Sequence, residues 1–304
     1  MIVVRRNRVS VRAELARLGL RWFIRHRSRH QTLEYERRKY GAIESLIPRP
    51  PRSTRTTPIN ANGVKADYIA THLSRSDRCL LFLHGGGYRV GSPASYRHFT
   101  WRIASAARAR LLAIDYRLAP EHPFPAALDD AVSSYRWLLG SGVSPRRLAV
   151  IGDSAGGGLA LALLLRLRDD GLPLPAAAVA LSPWTDLALT GASLTLNARA
   201  DPMLNADDVP RFAADYLAGA DPRDPYASPL YGDPAGFPPT LLHVGGDEIL
   251  RDDAVRMAEK LRRANCQVQL EIWPRMPHGW HAMAPFLPEA RAAIAAIGTF
   301  LMDV

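Results

Sequence analysis

The chain is poor in cysteine and lysine and has no long apolar run. Its 304 residues include 2 cysteines, Cys79 and Cys266, with no metal-ligand spacing around either. A disulfide framework and a cysteine-based metal site are therefore not expected, and both read as reduced thiols. Residues 1–15 lack the apolar core and cleavage site of a signal peptide, and no stretch is long enough to span a bilayer. Together these absences predict a cytoplasmic protein. Lysine is confined to Lys39, Lys65 and Lys260, while arginine, alanine and proline abound, a balance that fits GC-rich, bacterial coding.

The formal net charge of +10 is unevenly spread. Residues 1–55 hold 15 Lys and Arg against 4 Asp and Glu, whereas the remainder holds 24 against 25. The basicity belongs to one segment, which argues against nucleic-acid binding by the whole protein. That segment reads as helical over residues 1–47. Val11, Leu15, Leu18 and Trp22 form one stripe, and a second helix is expected from Thr32 to Leu46. A basic amphipathic helix can lie on an anionic membrane. The favoured expectation is the commoner one, that the stripe packs on its own domain. Pro48, Pro50 and Pro51 then read as a linker.

Beyond the linker, apolar runs alternate with helical patterns. Strands are expected at 64–72, 80–83, 111–114, 148–151, 176–181, 240–244 and 268–273. Helices are expected near 96–108, 126–139, 159–167, 252–264 and 289–301. This alternation predicts an α/β fold with a mostly parallel central sheet flanked by helices. Residues 186–225 break the rhythm with two helices and read as an insertion over the sheet edge. The domain expectation is a segment 1–55 followed by a body 56–304.

The central stretch is LAVIGDSAGGGLALALLL, residues 148–165. Gly152-Asp153-Ser154-Ala155-Gly156 fits G-x-S-x-G between a strand and a helix, the context of a nucleophile elbow. Ser154 needs a base, and His278, in the loop after the last expected strand, is the candidate. His281 is the nearest rival, and His243 reads as a core residue. Asp247 follows the strand 240–244 at a carboxyl end and is the candidate for orienting the base, with Glu248 second. The order Ser154, Asp247, His278 is that of α/β-hydrolases. His84-Gly85-Gly86-Gly87 follows a strand, and Gly86, Gly87 and Ala155 are candidate backbone donors to an oxyanion. Trp184 and Tyr216, with Phe212 and Leu217, could line an acyl or alcohol pocket, with core packing as the competing reading. Asp153 is expected to face away from substrate.

Four blocks, HGGG at 84–87, YRLAPEHPFPAA at 116–127, GDSAGG at 152–157 and HG at 278–279, resemble the hormone-sensitive-lipase-like esterases of bacterial family IV. So do Ala227-Ser228-Pro229-Leu230 and Pro238-Pro239-Thr240. The resemblance covers roughly residues 60–304. It implies an α/β-hydrolase with a helical cap, hydrolysing short- to medium-chain carboxylic esters through an acyl-enzyme, with no cofactor and no metal. Carried over by position, Ser154 resembles the nucleophile, His278 the base and Asp247 the acid. The family's acid is often followed by Pro-Leu; here Glu248-Ile249 follows Asp247, which keeps Glu248 in play. The implied partner is a small-molecule ester, and a homodimer through the last strand and helix is implied by analogy. Alternatives on the same residues are a lactonase, an aryl-amide deacetylase or a non-catalytic ligand-binding receptor.

Overall fold

The computed structural model describes residues 2–4, 9–25 and 32–304. The basic residues expected to extend the first helix at 5–8 and 26–31 lie outside the described residues. In chain order the elements are β1 (Ile2–Val4), α1 (Val11–Arg25), α2 (Leu33–Leu46), β2 (Arg55–Ala61), β3 (Val64–Ala70), β4 (Arg75–Leu83), α3 (Arg97–Ala106) and β5 (Ala109–Ile114). There follow α4 (Ala126–Gly140), β6 (Leu148–Asp153), α5 (Ala155–Asp169), β7 (Ala177–Leu181), α6 (Ser193–Leu196) and α7 (Val209–Leu217). The chain ends with β8 (Thr240–Gly245), α8 (Arg251–Arg263), β9 (Val268–Trp273) and α9 (Pro288–Met302).

The strands form one sheet in the order β1-β9-β8-β7-β6-β4-β5-β3-β2, antiparallel only at β2–β3 and β3–β5. Period-two alternation assigns the two faces. Leu81, Leu83 and Val150 pack toward α4 and α5, while Leu80, Phe82 and Ile151 pack toward α3 and α9. The central strands are buried on both faces, which is why they read as unbroken apolar runs. Each buried Val, Leu or Ile side chain contributes about 1.5–3 kcal/mol relative to exposure.

Three expectations are corrected. Residues 2–4 are a strand paired in parallel with β9, not helix. Residues 55–61 form β2, which was missed because its half-exposed edge carries Thr57-Pro58 and no apolar run. The third concerns α1. Val11, Leu15, Leu18 and Trp22 are 76%, 64%, 56% and 68% exposed, so the large apolar stripe faces outward. The opposite face holds α1 down: Ala13 is buried among residues of α3 and α9. The Ser10 amide and hydroxyl donate to the Glu289 carboxylate at 2.7 and 3.0 Å, and Arg17 pairs with Asp247 at 3.4 Å.

α2 is tied to the body by charge. Glu36 sits between Arg89 at 3.0 Å and Arg211 at 2.8 Å. Arg37 donates to both Glu121 oxygens and to the carbonyls of Arg89 and Ala119. The 186–225 stretch contains α6 and α7, as its pattern predicted.

Candidate active site

β6 delivers its last residues into a turn too tight for side chains at two positions. A Cβ on Gly152 would meet the Gly156 carbonyl oxygen at 1.9 Å, and one on Gly156 would meet the Leu83 carbonyl oxygen at 2.1 Å. Between them Ser154 is held at φ 56, ψ −120, a conformation that L residues adopt only under constraint. The constraint is visible. The Ser154 amide donates to the Leu181 carbonyl, and its carbonyl accepts from the amides of Gly157, Gly158 and Trp184. The amino end of α5 begins at the next residue, so its orphan amides and positive dipole end lie beside the hydroxyl.

Ser154 Oγ lies 2.8 Å from His278 Nε2, and His278 Nδ1 lies 2.8 Å from Glu248 Oε2. Glu248 is fully buried, and its other oxygen accepts from Ser182 Oγ at 2.7 Å and from the Gly245 amide at 2.6 Å. These donors hold the carboxylate in one orientation. Burial pushes the His278 ring down, but the hydrogen bond and charge of Glu248 override it and raise the pKa to about 9.

The expectation for Asp247 fails here. Its carboxylate faces Arg17 on α1 and makes no contact with His278. The cause is the turn after β8. The Glu248 amide closes back on the Gly245 carbonyl, and the Glu248 side chain folds inward to the Gly245 amide. One residue earlier, Asp247 emerges on the side of α1. Ser182 was not foreseen at all; a lone serine at the end of β7 carries no motif.

The rival histidines sit elsewhere. His281 is buried with Nε2 at 3.2 Å from His243 Nδ1, and His243 Nε2 lies 3.2 Å from Glu271. Burial holds His281 well below the usual histidine range. His84 is fully buried, stacked on Tyr116 with ring centroids 4.1 Å apart, and burial lowers it to about 4. Asp153 accepts from Tyr96 Oη at 2.7 Å, and burial raises its carboxyl to about 6.

Gly86 and Gly87 follow β4 with φ 122 and 61, a path that only glycine follows without strain. The Gly86 carbonyl accepts from the Arg89 and Val90 amides, which fixes the loop. Ala155 is the first residue of α5. Trp184 and Tyr216 are both buried in one aromatic cluster with Tyr88, Tyr216 stacking on Tyr88 at 3.7 Å and Trp184 lying 6.3 Å from it. Phe212 lies over Gly87.

A serine on a strand-to-helix elbow, backed by a histidine and a carboxylate from two later strand ends of a mostly parallel sheet, defines the α/β-hydrolase class. The family model described as alpha/beta hydrolase fold matches residues 80–282. An acetyl-hydrolase of Streptomyces hygroscopicus is 52% identical over 224 residues, covering 74% of this chain and 75% of the relative. An esterase of Acinetobacter venetianus is 36% identical, covering 84% of each. The crystal structure of an esterase from the bacterial hormone-sensitive lipase family superposes with a TM-score of 0.92 at 45% identity, covering 98% of this chain and 99% of that one. The chain belongs to the hormone-sensitive-lipase-like α/β-hydrolases of bacterial family IV, and it is a carboxylic ester hydrolase.

Proposed function

We propose that the protein is a serine carboxylesterase for short- to medium-chain esters, with Ser154 as nucleophile, His278 as base and Glu248 as the carboxylate that orients His278. The observation that carries this reading is the unbroken hydrogen-bond chain from Glu248 through His278 to Ser154, ending on a strained elbow serine. His278 takes the Ser154 proton as Oγ attacks the ester carbonyl. The amides of Gly86, Gly87 and Ala155 receive the oxyanion, each worth roughly 2.7–4 kcal/mol of transition-state stabilisation. His278 then protonates the leaving alkoxide. Water, deprotonated by the same ring, attacks the acyl-enzyme and frees the acid and Ser154. Glu248 stabilises the imidazolium that forms twice per cycle.

Residues 1–55 act as a cap, a reading supported by the charged ties from α1 and α2 to the loops around Gly86 and Asp247. Trp184 and Tyr216 support the oxyanion loop through Tyr88 and limit the acyl space. A relative named acetyl-hydrolase at 52% identity favours the short end of the acyl range. A His278 within reach of Ser154 supports turnover over the receptor alternative.

The test is hydrolysis of p-nitrophenyl esters from acetate to palmitate. The expected profile peaks between acetate and octanoate and disappears in Ser154→Ala. Equal rates in both proteins would overturn the assignment. A peak at palmitate would overturn the chain-length reading alone.

A further inference from the structure

α1 is mounted with the stripe of Val11, Leu15, Leu18 and Trp22 turned outward. Four described attachments lie off that stripe. Ser10, just before it, binds Glu289; Ala13 is buried; Arg17 reaches Asp247; and Glu14 pairs with Arg275. Two of these ties land in the loops that carry His278 and Glu248. The attached face thus fixes α1 beside the active-site loops and leaves Val11, Leu15, Leu18 and Trp22 exposed along almost the whole helix. At 100° per residue these four fall within about 60° of one another. Arg12 lies exposed on one flank of the stripe and Arg21, partly exposed, on the other. An aligned row of large apolar side chains on a surface marks an interaction site, whereas scattered ones do not.

We propose that α1 docks the protein onto an anionic lipid surface, its apolar stripe entering the acyl region and its flanking arginines meeting the headgroups. Charge selects this occupant. A second copy would bring two segments together, each with 15 basic and 4 acidic residues, and like charges would oppose the contact. A negatively charged bilayer answers both parts of the pattern, the apolar row and the arginines beside it. Among the described residues no helix is long and apolar enough to cross a membrane, so the contact is peripheral. Docking needs no turnover, so it stands or falls apart from the ester chemistry.

The experiment is co-sedimentation of the full chain with vesicles of phosphatidylcholine alone or mixed equally with phosphatidylglycerol. The variants are Leu15→Ser with Leu18→Ser, and separately Arg12→Glu. Partitioning onto the anionic vesicles should exceed that onto neutral ones at least about 10-fold. It should fall at least about 10-fold in the double variant and about 3-fold in Arg12→Glu, while hydrolysis of soluble p-nitrophenyl acetate stays within about 2-fold. No binding to anionic vesicles, equal binding to both lipids, or binding untouched by the variants would overturn the proposal. So would light scattering that finds a dimer dissociated by the double variant, since the stripe would then be covered by a second copy. If the double variant does not fold, Arg12→Glu alone decides, because it changes one exposed side chain.

Discussion

Two helices of this molecule carry strong apolar content and end up in opposite situations. In α5 nearly every residue from Ala155 to Leu165 is buried, because the helix lies between the sheet, α4 and the chain around Phe237. In α1 Val11, Leu15, Leu18 and Trp22 are exposed, while Ala13 is buried. Periodicity establishes that a helix exists and where its stripe runs. It does not establish which face the tertiary structure takes. For α1 that is set by Ser10, Glu14 and Arg17, whose partners Glu289, Arg275 and Asp247 lie more than 200 residues away. A stripe rule that works for α5 therefore inverts for α1.

The largest expected effect lies at the α5 end of this comparison. Ser154→Ala should lower kcat/KM for a short ester at least about 10³-fold, since the strained serine has no substitute in the site. Gly156→Ala should abolish soluble expression or activity altogether, because its methyl would meet the Leu83 carbonyl, which is backbone and cannot yield. An active, folded Gly156→Ala enzyme would refute the close strand-to-helix contact.

Next come the two neighbouring carboxylates, one on the elbow's histidine and one on α1. Glu248→Gln should lower kcat about 10²–10⁴-fold, whereas Asp247→Asn should change it less than about 3-fold. The reverse ranking would return Asp247 to the triad. The pH profile sharpens the same contrast. In the proposed mechanism His278 must be neutral to act, and the Glu248 carboxylate raises the His278 pKa to about 9. The ascending limb of kcat/KM should therefore extend into alkaline pH. Replacing Glu248 by glutamine removes the charge that raises this pKa, so the limb should move to lower pH at a reduced plateau. Asp247→Asn should leave the limb in place.

How much of this was legible from sequence follows the same division. The sheet body was, because β4, β6 and β7 are buried on both faces and α5 follows an elbow that needs its glycines. The positions of Ser154, His278 and the Gly86-Gly87 turn were legible because each sits in a motif tied to a backbone requirement. The choice between Asp247 and Glu248 was not, because adjacent residues share one sequence context and differ only in the direction the Gly245–Glu248 turn sends them. Ser182 was invisible, since only its hydrogen bond to Glu248 marks it. β2 was hidden by its exposed edge, and the orientation of α1 by tethers that no local window contains.

The smallest expected effect is the sharpest test of that last point. Leu163 in α5 and Leu18 in α1 are the same residue type in helices of the same length, 15 residues each. Leu163 is fully buried, so truncation to alanine removes its transfer free energy and leaves a cavity in a close-packed layer, a cost of about 2–5 kcal/mol. Leu18 is 56% exposed, and the same truncation leaves no cavity; the stability change should stay within about 0.5 kcal/mol. Alanine also has the higher helix propensity, which offsets part of even that small loss. Urea unfolding of both variants against wild type reads the difference directly. A Leu18→Ala cost approaching that of Leu163→Ala would mean that the stripe of α1 is buried against its own chain in solution, and the apparent inversion between the two helices would vanish.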